Sequence, residues 1–145
     1  MDFDHLFSTF RISASGLEAE RARIRVIANN LANANVTRTA DGEPFRKDLV
    51  VFREVLDREA ARRDPGCVMA GVSVEKTIKS TEPFRTEYQP GHPDADPATG
   101  MLRLPNVDPV SEMVDLITAS RAYQANLSVI TTFKEMMLQT LRISR

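Results

Sequence analysis

The side chains that could do chemistry are few, and the densest group of them lies in one turn-rich segment. His92, Asp94 and Asp96 alternate with other residues, so an extended chain would place their imidazole and carboxylate groups on one side. A protein-held metal normally needs more ligands, and further groups that orient those ligands. Asp and Pro are also turn formers. We therefore interpret the segment as a polar turn and expect no metal and no cofactor.

The single cysteine, Cys67, offers a thiol without a base beside it in the sequence. A cysteine nucleophile requires such a base. One cysteine also excludes an intramolecular disulfide and a cysteine-based zinc or iron–sulfur site. The sequence contains no glycine-rich phosphate loop, no H-E-x-x-H motif and no paired-carboxylate pattern. We therefore expect no catalytic residues and no enzyme; an enzyme that uses His92 and its acidic neighbours is the alternative.

Charge and hydropathy limit the kinds of partner. The 145 residues include 19 Lys and Arg against 20 Asp and Glu, which gives a formal net charge of -1. That balance predicts no binding to nucleic acid. No apolar run approaches the roughly 18 residues of a membrane span, so no direct membrane insertion is expected. The acidic start, MDFDHLFSTF, lacks the basic region and the cleavage site of a secretory signal peptide.

Helix breakers divide the chain into three parts. All eight prolines lie between Pro44 and Pro109, and five of the six glycines lie between Gly42 and Gly100. Since Pro and Gly interrupt helices most strongly, we predict an N-terminal helix in 1–37, a turn-rich central segment with short strands in 38–107, and a C-terminal helix in 108–145. The predicted fold class is mainly α, with long terminal helices paired as a coiled coil and a small β-hairpin in the central segment.

Apolar residues recur every seven positions in both predicted helices, which is the period of a coiled-coil seam. Two helices in a hairpin hide only part of such stripes, and an exposed apolar stripe of this length indicates contact with other chains. An intramolecular helical hairpin within a small fold is the alternative. The predicted subunit-interface residues on the two seams are Phe3, Phe10, Leu17, Ile24 and Leu31, and Met113, Leu116, Tyr123, Leu127, Ile130, Met137 and Leu141.

Asparagines crowd the end of the first predicted helix. Asn is a poor residue in a helix interior and a good one at helix ends and turns, so one interpretation is that these amides cap backbone groups. In the other interpretation, the amides of Asn29, Asn30 and Asn33 hydrogen-bond across a subunit interface, where a buried polar group specifies register at a cost in stability. The residues alone leave both open, and we include these three among the predicted interface residues.

Alternation predicts the strands of the central segment. Residues 68–74 alternate apolar with polar or small side chains, which favours a strand, and residues 84–88 alternate similarly and predict its hairpin partner. The stretch FRKDLVVFREVL at 45–56 fits either a strand or a helix. Residues 89–100 hold three prolines and two glycines and are predicted to be loop.

Several long motifs resemble those of bacterial flagellar rod and hook proteins. ANNLANANVT at 28–37 is the most specific element of an N-terminal signature that covers 13–39. YQPGHPDAD at 88–96 and PNVDPVSEMVDLITASRAYQANLSVI at 105–130 are similar to the proximal rod proteins of this family. The similarity covers nearly the whole chain in matching order and spacing.

This resemblance implies a structural subunit of the proximal rod of the flagellar basal body, which polymerises through its terminal helices into the drive shaft and axial export tube. It implies a place in the periplasmic space, reached through the flagellar type III export apparatus without a cleaved signal peptide. The implied partners are copies of itself, other proximal rod proteins, the export-gate adaptor and the distal rod protein. An alternative of another class is a cytoplasmic helical adaptor or export chaperone.

Overall fold

The computed structural model describes residues 3–56 and 70–143, with side chains for 10–56 and 71–142. Two long helices, α1 (Phe3–Ala32) and α2 (Pro109–Ile143), contain 30 and 35 residues, roughly half of the chain. The prediction of a mainly α chain with long terminal helices is therefore confirmed in part. Cys67 and the side chain of Phe3 lie outside the described residues.

Four strands form two small antiparallel sheets. β1 (Asp48–Leu56) pairs with β2 (Ala70–Lys79), and β3 (Arg85–Tyr88) pairs with β4 (Met101–Leu104). The register of the first pair shifts after Val51, which leaves one extra residue on β2 and forms a β-bulge. The stretch 45–56, for which the sequence allowed a helix, thus contains a strand.

The predicted partner of β2 was wrong. Residues 84–88 do not pair with it; they contribute β3, which pairs with β4 instead. The loop at 89–100 closes this second hairpin, since Gln89 N–H donates to Gly100 O at 2.9 Å and Asp96 N–H donates to Met101 O at 3.0 Å. Alternation along a strand identifies its two faces but carries no information about which strand lies beside it.

Asp108 caps the start of helix α2. The carboxylate of Asp108 accepts hydrogen bonds from Ser111 Oγ at 2.6 Å and from Val110 N–H at 3.3 Å, and Pro109 occupies the first helical position. These hydrogen bonds hold the pKa of Asp108 below its ordinary value of 3.8, and the bond from the Ser111 hydroxyl has the largest effect. The cap fixes where the helix starts and therefore which side chains its first turn presents.

The two helices pack against each other in antiparallel orientation, because residues late in α2 lie beside residues early in α1. A Cβ at Gly16 would lie 2.9 Å from Asn126 Nδ2, so the glycine permits a close approach of the two helices. The other contacting pairs are Phe10 and Phe133, with ring centroids 6.0 Å apart, Arg23 and Asp115, an ion pair at 3.5 Å, and Asn30 and Glu112, hydrogen-bonded at 3.2 Å.

The β1–β2 hairpin packs on another face of α1. Ser15 Oγ accepts a hydrogen bond from Val72 N–H at 3.2 Å and donates one to Ile12 O at 2.7 Å, so a single hydroxyl joins helix and strand. The buried apolar core of the described residues is small: Ala19, Ile27, Phe45, Leu102, Val107 and Ala119. With so little apolar burial, polar contacts between the elements carry more of the specificity of the fold.

Candidate functional site

The most deeply buried polar group in α1 is Asn30, in the last turn of the helix, with 1% of its surface exposed. Its side-chain Nδ2 donates to the backbone oxygen of Asp48 at 2.9 Å, and its Oδ1 accepts from the backbone N–H of Asp48, also at 2.9 Å. The amide thereby binds both main-chain groups of the first residue of β1. The same Nδ2 donates to Glu112 Oε2 at 3.2 Å, which connects α1 to the first turn of α2.

The carboxylate of Glu112 is also 1% exposed and is neutralised by Lys47. Lys47 Nζ lies 2.6 Å from Glu112 Oε1, and the lysine side chain keeps 22% of its surface exposed. An unpaired buried carboxylate is very costly, so the ammonium group is what permits the burial. We call Asn30, Lys47, Asp48 and Glu112 the helix junction.

Groups around the helix junction continue the network. Asn106 Oδ1 accepts from the backbone N–H of Lys47 at 2.8 Å, which connects the segment before α2 to the residue before β1. Lys79 Nζ, at the end of β2, lies 3.0 Å from Asp48 Oδ1, on the solvent side. The helix junction joins three segments that are far apart in sequence, and Lys79 adds a fourth, the end of β2.

The other two predicted interface asparagines are less buried. Asn33 Nδ2 donates to Asn29 O at 2.8 Å and to Asn29 Oδ1 at 3.0 Å, and Asn29 Nδ2 donates to Asp48 Oδ2 at 3.3 Å. The capping interpretation is confirmed for Asn33, whose side chain adds a second hydrogen bond to the Asn29 carbonyl, which also accepts the backbone N–H of Asn33 at 3.1 Å. All of the hydrogen bonds described for the three asparagines lie within one chain, and their contact with a neighbouring subunit stays a prediction.

The predicted seam residues divide into two groups by exposure. Phe10 is exposed at its edge and contacts Phe133, whereas Met113, Leu127 and Leu141 are exposed on α2. The remaining seam residues are half-buried: Leu17, Ile24, Leu31, Leu116, Tyr123, Ile130 and Met137.

On α2 the side that packs against α1 matches the predicted seam at every other position; at the positions between, the inward residue comes one place earlier in the sequence than the predicted one. Glu112 and Ala119 are buried, and Asn126 and Phe133 contact α1, where the sequence pattern indicated Met113 and Leu127. Glu112 and Asn126 are polar and give no apolar signal, so their larger apolar neighbours Met113 and Leu127 were taken for the inward positions. Met113 and Leu127 instead lie on the exposed surface of the helix.

Exposed apolar side chains cluster on the outward side of the first turns of α2. Val110, Met113, Val114 and Ile117 are each at least half exposed. Their spacing of three, four and seven residues places them on one helix face. Further along that face the exposed residues are polar, beginning with Arg121. We call the four apolar residues the outer patch.

The polar loop at 89–100 has its chemical groups engaged in turn structure. His92 Nδ1 accepts from the backbone N–H of Asp94 at 3.1 Å, and Asp94 Oδ2 accepts from Thr37 Oγ1 at 2.8 Å. Asp96 accepts from the backbone N–H of Ala98 at 3.0 Å, and this hydrogen bond is the largest of those that lower its pKa. Among the described residues, no three His, Cys, Asp or Glu side chains are grouped so that they could hold a metal ion.

Within the described residues, neither α1 nor α2 contains a stretch that is long and apolar enough to cross a bilayer.

Comparison with known proteins gives two family models and several full-length relatives. The model described as "Flagella basal body rod protein" matches residues 10–38, and "Flagellar basal body rod FlgEFG protein C-terminal" matches residues 98–143. The flagellar basal-body rod protein FlgC of Salmonella typhimurium is 44% identical over 97% of this chain and 98% of its own length. The chain belongs to the FlgC family of flagellar basal-body rod proteins. Its function is that of a structural subunit of the basal-body rod.

More distant members agree with this assignment to the FlgC family. FlgC of Borreliella burgdorferi is 39% identical over 95% of this chain and 97% of its own length, and FlgC of Bacillus subtilis is 35% identical over 96% and 98%. Asn30 lies within the N-terminal family match and Glu112 within the C-terminal one. The helix junction therefore connects the two matched regions through Lys47, which lies between them.

Lys47, Asp48, Asn106 and the burial of Glu112 were all missed from the sequence. The indication in the sequence was the polar cluster at the end of α1, for which capping of backbone groups and a subunit contact were both open interpretations. A lysine just before a strand and a glutamate in the first turn of a helix are ordinary surface residues by composition, and only the fold brings them together.

Proposed function

We propose that this FlgC-family chain, whose two terminal helices pair with each other as a coiled coil, polymerises through those helices to form the drive shaft and axial export tube. Its neighbours are copies of itself, other proximal rod proteins, the export-gate adaptor and the distal rod protein. The subunit reaches the periplasmic space through the flagellar type III export apparatus, without a cleaved signal peptide. The role is mechanical and includes no catalytic step.

The outer patch is the observation that carries this proposal. Four large apolar side chains on one face of α2 are left in water by the fold of the single chain. Contiguous apolar surface of this kind marks a contact site with another molecule. Covering the exposed half or more of each side chain would contribute about 4 kcal/mol at the usual gain for burying apolar area. A shaft built from many such contacts transmits torque over the whole helix surface.

The exposed members of the predicted seams extend the proposed contact surface beyond the outer patch. Leu127 and Leu141 lie further along α2, and Phe10 lies near the start of α1. The half-buried seam residues have less free surface, so we assign them to packing within the chain as well as to the rim of the subunit contact.

The test is assembly in the source bacterium after deletion of the native gene and complementation with variants. Ile117→Asp places a charge in the outer patch, where a neighbouring subunit would bury it without a partner. Ser128→Asp is the matched control, because it introduces the same charge on the outward side of the same helix, at a polar position. We expect basal bodies with rods, and swimming cells, from the wild type and Ser128→Asp only.

Two results would contradict the proposal. Normal swimming by the Ile117→Asp strain would mean that no neighbour covers the outer patch. Recovery of the wild-type chain from the cytoplasm alone, with none in purified basal bodies, would favour the adaptor or chaperone. Circular dichroism of the purified variants controls for folding, since both substitutions are at exposed positions and should leave the helices intact.

A further inference from the structure

We propose that Asn30, Lys47 and Glu112 are positioning residues that set the register of α1 against α2, so that the two helices pair in one alignment and only when β1 is in place. The inference stands apart from the proposed function. It concerns contacts within one chain, which can be measured whether or not the chain assembles.

Apart from the helix junction, the side of α2 that packs against α1 has a repeating pattern of residues. The side that is buried or half-buried follows alternating steps of four and three residues: Glu112, Leu116, Ala119, Tyr123, Asn126, Ile130, Phe133 and Met137. A pattern with this period presents nearly the same face every seven residues. A slip of seven residues, about 10.5 Å at the rise of an α-helix, would therefore leave a similar stripe against α1.

Packing alone discriminates weakly against such a slip. In the observed alignment Gly16 faces Asn126. Displacement by seven residues would place Ala119 or Phe133 opposite the glycine. Ala119 would leave a small gap, and Phe133 would need to turn aside. Either slip would also break the ion pair between Arg23 and Asp115, but their side chains are 35% and 45% exposed, and ion pairs this open to water contribute little.

The helix junction discriminates strongly. Glu112 is nearly inaccessible to solvent and has its cation 2.6 Å away, on a lysine that does not belong to either helix. A slip that places Ala119 opposite Gly16 would move Glu112 away from Lys47 and beside Arg23, whose side chain is 35% exposed and reaches water. A slip that places Phe133 there would move Glu112 beyond Ala32, the last residue of α1, and would leave Asn30 with only its contacts to Asp48. A buried polar residue at one seam position is a well-attested way to specify the register of paired helices. Here the groups are 82 residues apart in sequence and meet only in the native alignment.

Because Lys47 directly precedes β1, the same contact makes helix pairing depend on the central segment. Asn30 binds both backbone groups of Asp48, so the strand must be docked before the pocket for Glu112 is complete. The register in turn decides where along α1 the outer patch of α2 lies. A slipped chain would present its outer patch about 10.5 Å from its proper place.

The test uses cysteine pairs in the full-length chain with Cys67→Ser as background. Gly16→Cys with Asn126→Cys reports the observed alignment, and both side chains fit because the asparagine that would crowd the new Cβ is replaced by a smaller residue. Gly16→Cys with Ala119→Cys, and Gly16→Cys with Phe133→Cys, report the two slipped alignments. Intramolecular disulfide formation is measured in dilute solution by mass spectrometry.

Each cysteine pair is combined with two changes at the helix junction. Lys47→Met with Glu112→Leu replaces the ion pair by apolar residues, a change that often leaves stability intact or improves it. Glu112→Gln alone keeps the shape of the side chain and removes its charge. Lys79→Met is the control, because it removes a neighbouring lysine that is 60% exposed and does not contact Glu112 in the described network.

With the helix junction intact, and in Lys79→Met, we expect the 16–126 disulfide to form at least about tenfold faster than either slipped pair, which corresponds to the free-energy gap of one strong contact. In the double variant and in Glu112→Gln the slipped pairs should gain at least severalfold. An unchanged preference for 16–126 in both junction variants would overturn the inference. So would slipped disulfides, or the absence of the 16–126 disulfide, in the chain with an intact junction.

Discussion

Replacing Lys47 by methionine tests the energetic weight of the helix junction. The substitution keeps the length and apolar stem of the side chain and removes the ammonium group that lies 2.6 Å from Glu112 Oε1. The glutamate remains 1% exposed, with the side chain of Asn30 as its other described polar contact. Removing one partner of a buried ion pair costs about 3–5 kcal/mol, because the remaining charge is left uncompensated.

The lower end of that range is the better expectation here, because the lysine side chain is 22% exposed and water can approach the pair. We therefore expect Lys47→Met to lower the free energy of unfolding by about 3 kcal/mol. For a chain of this size the corresponding fall in Tm is about 10 °C. A loss of that size is a large part of the total stability of a typical domain, about 5–15 kcal/mol.

The assay is thermal and urea unfolding of the purified chain, followed by circular dichroism, with Lys79→Met as the matched control. Lys79 is 60% exposed and lies 3.0 Å from Asp48 Oδ1, whose side chain is 16% exposed, so its ion pair is more open to water than that of Lys47. Exposed pairs contribute about 0–1 kcal/mol. Equal losses from the two lysine substitutions would refute the argument that burial gives the Lys47–Glu112 contact its weight.

Two further predictions concern turns and caps. Gly100 has a φ of +68°, and a Cβ there would lie 2.7 Å from Tyr88 Cε2. Gly100→Ala should therefore lower the free energy of unfolding by about 2–3 kcal/mol. Gly42 has a φ of +79° but no described atom within 4 Å of its Cβ, so Gly42→Ala should lower it by only about 1 kcal/mol. Equal losses in urea titrations would mean that the ring of Tyr88 yields without cost. The pKa of Asp108 is lowered in the folded chain, so its cap stabilises the protein above the ordinary value of 3.8 and loses that effect as the pH falls through the folded pKa. The Tm difference between wild type and Asp108→Ala should therefore be full at neutral pH and vanish in strong acid, and a difference that is independent of pH would contradict this account.

The two helices could be predicted because their determinants are local. The cap at Asp108, the proline after it and the confinement of Pro and Gly to the middle of the chain each act through neighbouring backbone groups. The apolar period identified half of the inward positions on α2, including Leu116 and Tyr123. It missed Glu112 and Ala119, because a buried ion and a small residue carry no apolar signature.

Strand pairing and the helix junction could not be predicted for a related reason. Both depend on which distant segments meet, and the local pattern of β2 is equally compatible with 48–56 and with 84–88 as a partner. Asn30 was recognised as unusual, yet its hydrogen-bond partners at Asp48 and Glu112 are defined only by tertiary structure. A polar residue in an apolar stripe indicates that some specific partner exists without indicating where it lies.

The antiparallel pairing of the terminal helices has a consequence for the order of events during synthesis. The contact between Phe10 and Phe133 closes a loop that contains most of the described residues, and α2 is made after the other described elements. At roughly 5–20 residues per second, α1 waits several seconds for its partner. The hairpin of β1 and β2 is complete earlier and covers one face of α1 in the interval. Because loop-closure entropy grows only slowly with loop length, the rate of synthesis sets this delay. A chain truncated before Pro109 would lack α2 and would keep the other face of α1 exposed and prone to aggregation.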